Sequence, residues 1–155
     1  MDYLLGASLG ILIAFVLAIP ALVIETFDRK HKRNLPLLVD VKEIWGRKIT
    51  HPEMFVIALL VHLVVGGLFG AIYPLAVLNN WLYITGTPYT FISLFWYALH
   101  VWLMVMLMAF PIIGFGFFGK KEGKLVWLEL LITMILIGIC LQFVIEWFRP
   151  FFFVI

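Results

Sequence analysis

The sequence predicts an all-α integral membrane protein of four transmembrane helices, with both termini on the non-cytoplasmic side. Three observations carry this. Of 155 residues, 65% are hydrophobic and only 13% charged, whereas a globular domain is about half apolar and a quarter charged. The apolar residues gather into four stretches of spanning length, and a bilayer core needs roughly 20 helical residues. The cations gather into two of the connecting loops. A soluble domain of this size leaves too much of its chain exposed to hide such a composition, and disorder needs the opposite balance.

The first span covers residues 3–24 without a charge. It lacks the positive leader and the small-x-small cleavage site of a signal peptide, so it reads as a retained helix. Its Gly6, Gly10, Ala14 and Ala18 recur every four residues, a ridge of small side chains that lets another backbone approach.

The loop that follows holds Arg29, Lys30, Lys32, Arg33, Lys42, Arg47 and Lys48. Within it, Leu37, Leu38, Val41, Ile44 and Trp45 share one helical face, Pro36 suits a first turn and Gly46 an end. The pattern predicts a short amphipathic helix over residues 36–45, lying in the headgroup plane or packed beneath the bundle.

The second span, 54–78, follows Thr50 and Glu53, which have the spacing of a capping box. It carries His62, Gly66 and Gly70 on one row with Gly67 beside it. The third span, 91–113, follows a Thr87-Pro88 pair that reads as a cap, contains His100, and should bend at Pro111 before Gly114, Gly116 and Gly119 end it. The fourth span, 126–148, carries Glu129 and Glu146 near its ends, with Gln142 deeper and expected to seek a partner on another helix.

Lys120, Lys121 and Lys124 occupy the loop before the fourth span, so ten of the eleven Lys and Arg lie on one side of this topology. The positive-inside rule then places the two basic loops in the cytoplasm of a cell membrane, plasma or inner.

Sites follow from the polar residues that remain. In a span, an ionisable side chain is a functional candidate by default. On antiparallel neighbours, His62 and His100 fall at similar depth, as bis-imidazole ligation of a haem b would require; hydrogen-bonded structural histidines are the plainer reading. Met104, Met106 and Met108 alternate and so cannot share one helical face, which suits packing better than a copper cluster. Cys140 stands alone, which excludes an intrachain disulfide. No phosphate loop, His-Glu-x-x-His pair or nucleophile beside a base occurs, and no basic stripe suits nucleic acid.

The expected function is therefore non-catalytic: a structural or accessory subunit of a membrane complex or homo-oligomer, with the bilayer and other membrane subunits as partners. A haem-binding electron carrier using His62 and His100 is the first alternative. A small channel or proton-coupled transporter is the second.

Overall fold

A computed structural model of the chain describes residues 2–27, 43–44, 47–79, 81 and 90–148. Among the described residues the protein is a helical bundle with four helices long and apolar enough to cross a membrane, over Tyr3–Val23, Pro52–Val77, Phe91–Ile112 and Val126–Trp147. Lipid offers the backbone no hydrogen-bond partner, so each span must close its own ladder, and helices do so.

Helix α1 runs Asp2–Phe27 and tolerates Pro20 near its end. Glu43–Ile44 (β1) and Arg47–Lys48 (β2) are two-residue strands paired antiparallel, Glu43 opposite Lys48. The amphipathic helix expected over 36–45 falls mostly outside the described residues, and where it is described, at Glu43–Ile44, the backbone is extended. Apolar spacing alone did not anticipate this.

Helix α2 spans His51–Leu78 with Thr50 at its N-cap. The Thr50 backbone N–H donates to Glu53 Oε2 at 3.0 Å and the Thr50 hydroxyl donates to the same oxygen at 2.9 Å. Arg47 reaches Glu53 Oε1 at 3.2 Å, which ties the strand pair to the start of the helix.

Helix α3 spans Phe91–Met104 and is capped by Thr90, whose hydroxyl accepts from the Ser93 backbone N–H at 3.3 Å. The cap therefore sits three residues after the Thr87 expected from sequence, a residue outside the described ones. The third span continues as a π-helical segment, Val105–Ala109, and a last α-helical turn, Phe110–Ile112. Pro111 has no N–H to give the Leu107 carbonyl, so the regular ladder must change here. The chain widens by one residue per turn instead, with the Phe110 N–H bonding Val105 O. Gly114 and Gly116 then take positive φ values of 93° and 73°, which suits residues without a Cβ and turns the chain out of the span. A 3₁₀ turn, Phe117–Gly119, leads to helix α4, Val126–Phe148.

The helices associate as two pairs, α1 with α2 and α3 with α4, while α1 also touches α4. Between the pairs lies a core in which Phe69, Tyr73, Leu94, Met106, Met134 and Ile137 are almost completely buried. Although consecutive in the chain, α2 and α3 meet only sparingly. That gap decides where the candidate site can be.

Candidate functional site

The closest contact in the bundle is between α1 and α2. Gly6 faces the Gly70 carbonyl and Gly10 faces that of Gly66, each so near that a Cβ would overlap the oxygen. A Cβ on Gly66 would lie 2.5 Å from the Ala14 Cβ and 2.7 Å from the Gly10 carbonyl oxygen. Gly67 receives the Ile11 side chain, and Ala18 packs with Ala21 and Ala58 further along the same seam. In lipid there is little hydrophobic force between helices, so association depends on dispersion contacts of this kind and on polar bonds. The two small-residue rows therefore meet each other within one chain.

His62 belongs to this seam. Its ring is buried and its Nε2 lies 2.9 Å from the Ala14 carbonyl oxygen on α1, which makes Nε2 the donor. The bond closes an interhelical contact at a place where an unpaired imidazole would be costly. Replacing His62 by Leu keeps the volume and removes the bond. A loss of about 0.6–1.7 kcal/mol is expected, measured by SDS titration of the protein in mixed micelles.

His100 stands elsewhere. Its Nδ1 lies 2.7 Å from the Trp96 carbonyl oxygen of its own helix, and the residue is exposed at the side of the bundle. It lines an apolar groove of about 610 Å³ between α2 and α3, which His62 does not line. The structure thus does not bring the two histidines into one site. Similar depth was readable from the sequence, but the direction of each ring around its helix was not enough without knowing that α2 pairs with α1. A haem held between His62 and His100 has no support in this arrangement.

The polar residues of α4 act locally. Gln142 is buried, and its Nε2 donates to Glu146 Oε1 at 2.8 Å, one turn along the same helix. The bond it makes is intrahelical, where an interhelical one had been expected, because the carboxylate four residues on lies on the same face. Arg149, three residues after Glu146 and so within pairing reach on a helix, lies outside the described residues. Glu129 is half-buried in the first turn of α4, and its carbonyl oxygen accepts from the Thr133 hydroxyl at 2.9 Å. Cys140 is a free thiol, partly buried on the same helix.

Two polar contacts that matter were not singled out from sequence. The Tyr73 hydroxyl donates to Ser93 Oγ at 3.0 Å, and the Tyr97 hydroxyl donates to the Phe69 carbonyl oxygen at 2.8 Å, both joining α2 to α3. The Tyr97 ring packs tilted against those of Phe69 and Tyr73, with centroids 4.7 and 5.1 Å away. Ser93 and Tyr97 are one turn apart, as are Phe69 and Tyr73; that matched spacing was the available signal. No family model, curated protein or solved structure matches the chain.

The arrangement offers two kinds of chemistry. Along α1–α2 and at the Tyr73–Ser93 and Tyr97–Phe69 contacts, polar groups hold helices together. In the α2–α3 groove, a single imidazole faces an apolar space.

Proposed function

We propose that this chain is a non-catalytic integral membrane subunit that works by packing beside other membrane chains or copies of itself. The observation that carries the reading is the use made of interior polar groups. His62, Ser93, Tyr73 and Tyr97 bond from one helix to the next, and Thr133 and Gln142 bond within α4. Cohesion absorbs these groups; among the described residues the buried exception is Gln142 Oε1, which has no hydrogen-bond partner.

The outward faces of α3 and α4 support assembly. Phe95 and Trp96 on α3, and Phe143 and Trp147 on α4, are exposed, Phe143 by 68% and Trp147 by 80%. Large aromatic rings are enriched where proteins meet. The small-residue rows, already engaged within the chain, leave these aromatic faces as the assembling surface. The orientation that fits has both termini outside a cell membrane, because Arg47, Lys48 and Lys120 to Lys124 gather at one end of the bundle.

Blue-native electrophoresis of gently solubilised membranes tests the reading. The expected result is a band well above a single chain, shifted downward by the double variant Phe143→Ala, Trp147→Ala. A lone monomer in native lipid would contradict it.

A further inference from the structure

The groove between α2 and α3 has features that the packing role does not use. Val65, Leu68 and Ile72 wall one side, and Met104, Met108 and Ile112 the other. Its volume, about 610 Å³, falls within the roughly 300–1,000 Å³ of small-molecule sites. The methionines are flexible and polarizable, a lining that adapts to an irregular apolar chain. Part of the wall is the π-helical segment, through Val105, Met108 and Ala109, and such segments recur at functional sites.

His100 gives the groove its one direction. The Trp96 carbonyl can only accept, so Nδ1 carries the proton and Nε2 presents a lone pair. Among the described residues, Nε2 has no hydrogen-bond partner on the protein. His100 lies nine residues after Phe91 and twelve before Ile112, roughly 14 and 18 Å from the span's ends at 1.5 Å per residue. An acceptor near mid-membrane has no water to satisfy it, so its complement is a donor that travels in the hydrocarbon.

From this we propose that the α2–α3 groove binds a membrane-soluble lipid with one small hydroxyl-bearing head, such as a long-chain phenol or prenol, whose hydroxyl donates to His100 Nε2. The depth excludes a phospholipid headgroup, which stays at the surface. The volume favours one lipid molecule over a transmembrane helix, which would need a groove as long as the bilayer is thick. The proposal does not depend on the subunit reading, since none of the four aromatic residues of the assembling faces, Phe95, Trp96, Phe143 and Trp147, lines the groove.

The test is native mass spectrometry of the detergent-purified full chain with para-dodecylphenol and with its methyl ether, which has the same chain and no donor. One hydrogen bond in an apolar site should favour the phenol by about tenfold. His100→Phe is expected to bring the phenol down to the level of the ether, and Val65→Trp, which fills the groove and leaves His100 in place, should abolish both. A photoreactive side chain at Met104 is expected to capture lipid in native membranes. Equal binding of phenol and ether to the unaltered protein would overturn the proposal. So would binding indifferent to Val65→Trp, or capture at Met104 of a second copy or another protein.

Discussion

Gly66→Leu is expected to force α1 off α2 and to remove the folded state in mild detergent. The first atom of the new side chain would sit 2.5 Å from the Ala14 Cβ and 2.7 Å from the Gly10 carbonyl oxygen, with the rest of the leucine still to place. Overpacking a dense core costs about 1–3 kcal/mol when side chains can yield. Here one of the two crowded groups is backbone, which cannot turn aside, and the His62–Ala14 bond lies one turn away on the same seam. A loss above about 3 kcal/mol follows, a large part of the roughly 5–15 kcal/mol that proteins have in hand. Gly138→Ala is the matched control. Its Cβ would meet Leu94 O at 3.6 Å and the Ala98 Cβ at 3.8 Å, ordinary contacts, so no stability should be lost, and about 0.5–1 kcal/mol is gained from replacing a mid-helix glycine. SDS titration followed by near-ultraviolet circular dichroism separates the two. A Gly66→Leu protein as stable as the parent would mean that α1 and α2 do not meet along this row.

Tyr97→Ala should be nearly as damaging, for a different reason. The Tyr97 ring is buried against Phe69 and Tyr73, and its hydroxyl bonds the Phe69 carbonyl oxygen at 2.8 Å. Truncation leaves an aromatic-sized void, which costs about 3–5 kcal/mol in protein cores. Tyr97→Phe keeps the ring and loses only the bond, so about 1 kcal/mol is expected. Because α2 and α3 touch sparingly, the two variants also report what joins them. Combining Tyr97→Phe with Tyr73→Phe removes both described α2–α3 side-chain hydrogen bonds and should loosen α3 more than either alone. Thermal unfolding in one detergent at fixed concentration measures the series, and equal stability of Tyr97→Ala and Tyr97→Phe would refute the packing argument.

Much of the architecture was legible because the bilayer imposes a length and a composition on anything that crosses it. The four spans stand out as uninterrupted apolar runs, and Thr50 and Glu53 mark the start of α2 by spacing alone. The end of the third span was harder. Pro111 announces a disturbed ladder, but whether the chain kinks, breaks or widens into a π-helical segment depends on which carbonyl finds a donor, here Val105 O. The cap of α3 was misplaced for a related reason: Thr87 and Thr90 both suit the role, and the helix selects the one whose hydroxyl meets Ser93 N.

The candidate site was legible in its members and not in its grouping. Periodicity places His62 on the glycine row of α2 and His100 on the face of α3 that carries Met104. The matched small-residue rows suit a meeting of α1 and α2, within one chain or between chains, but nothing in the periodicity says that α3 leans on α4. Once those neighbours are known, His62 is a packing residue bonded to Ala14 and His100 faces a groove. The Tyr73–Ser93 and Tyr97–Phe69 contacts were hidden because tyrosine in an apolar run reads first as an aromatic.

The central claim, assembly through the outward aromatic face, is tested most directly by cysteine crosslinking in native membranes. Cys140 is the chain's only cysteine, so a Cys140→Ser background leaves one introduced thiol at a time. With Ile132→Cys, exposed on the same face of α4 about three turns before Phe143, a membrane-permeant bismaleimide is expected to yield a crosslinked band larger than one chain. Ile137→Cys, buried inside the bundle, should stay monomeric under the same treatment. A monomer from both positions, with Ile132→Cys shown to be alkylated, would contradict the account.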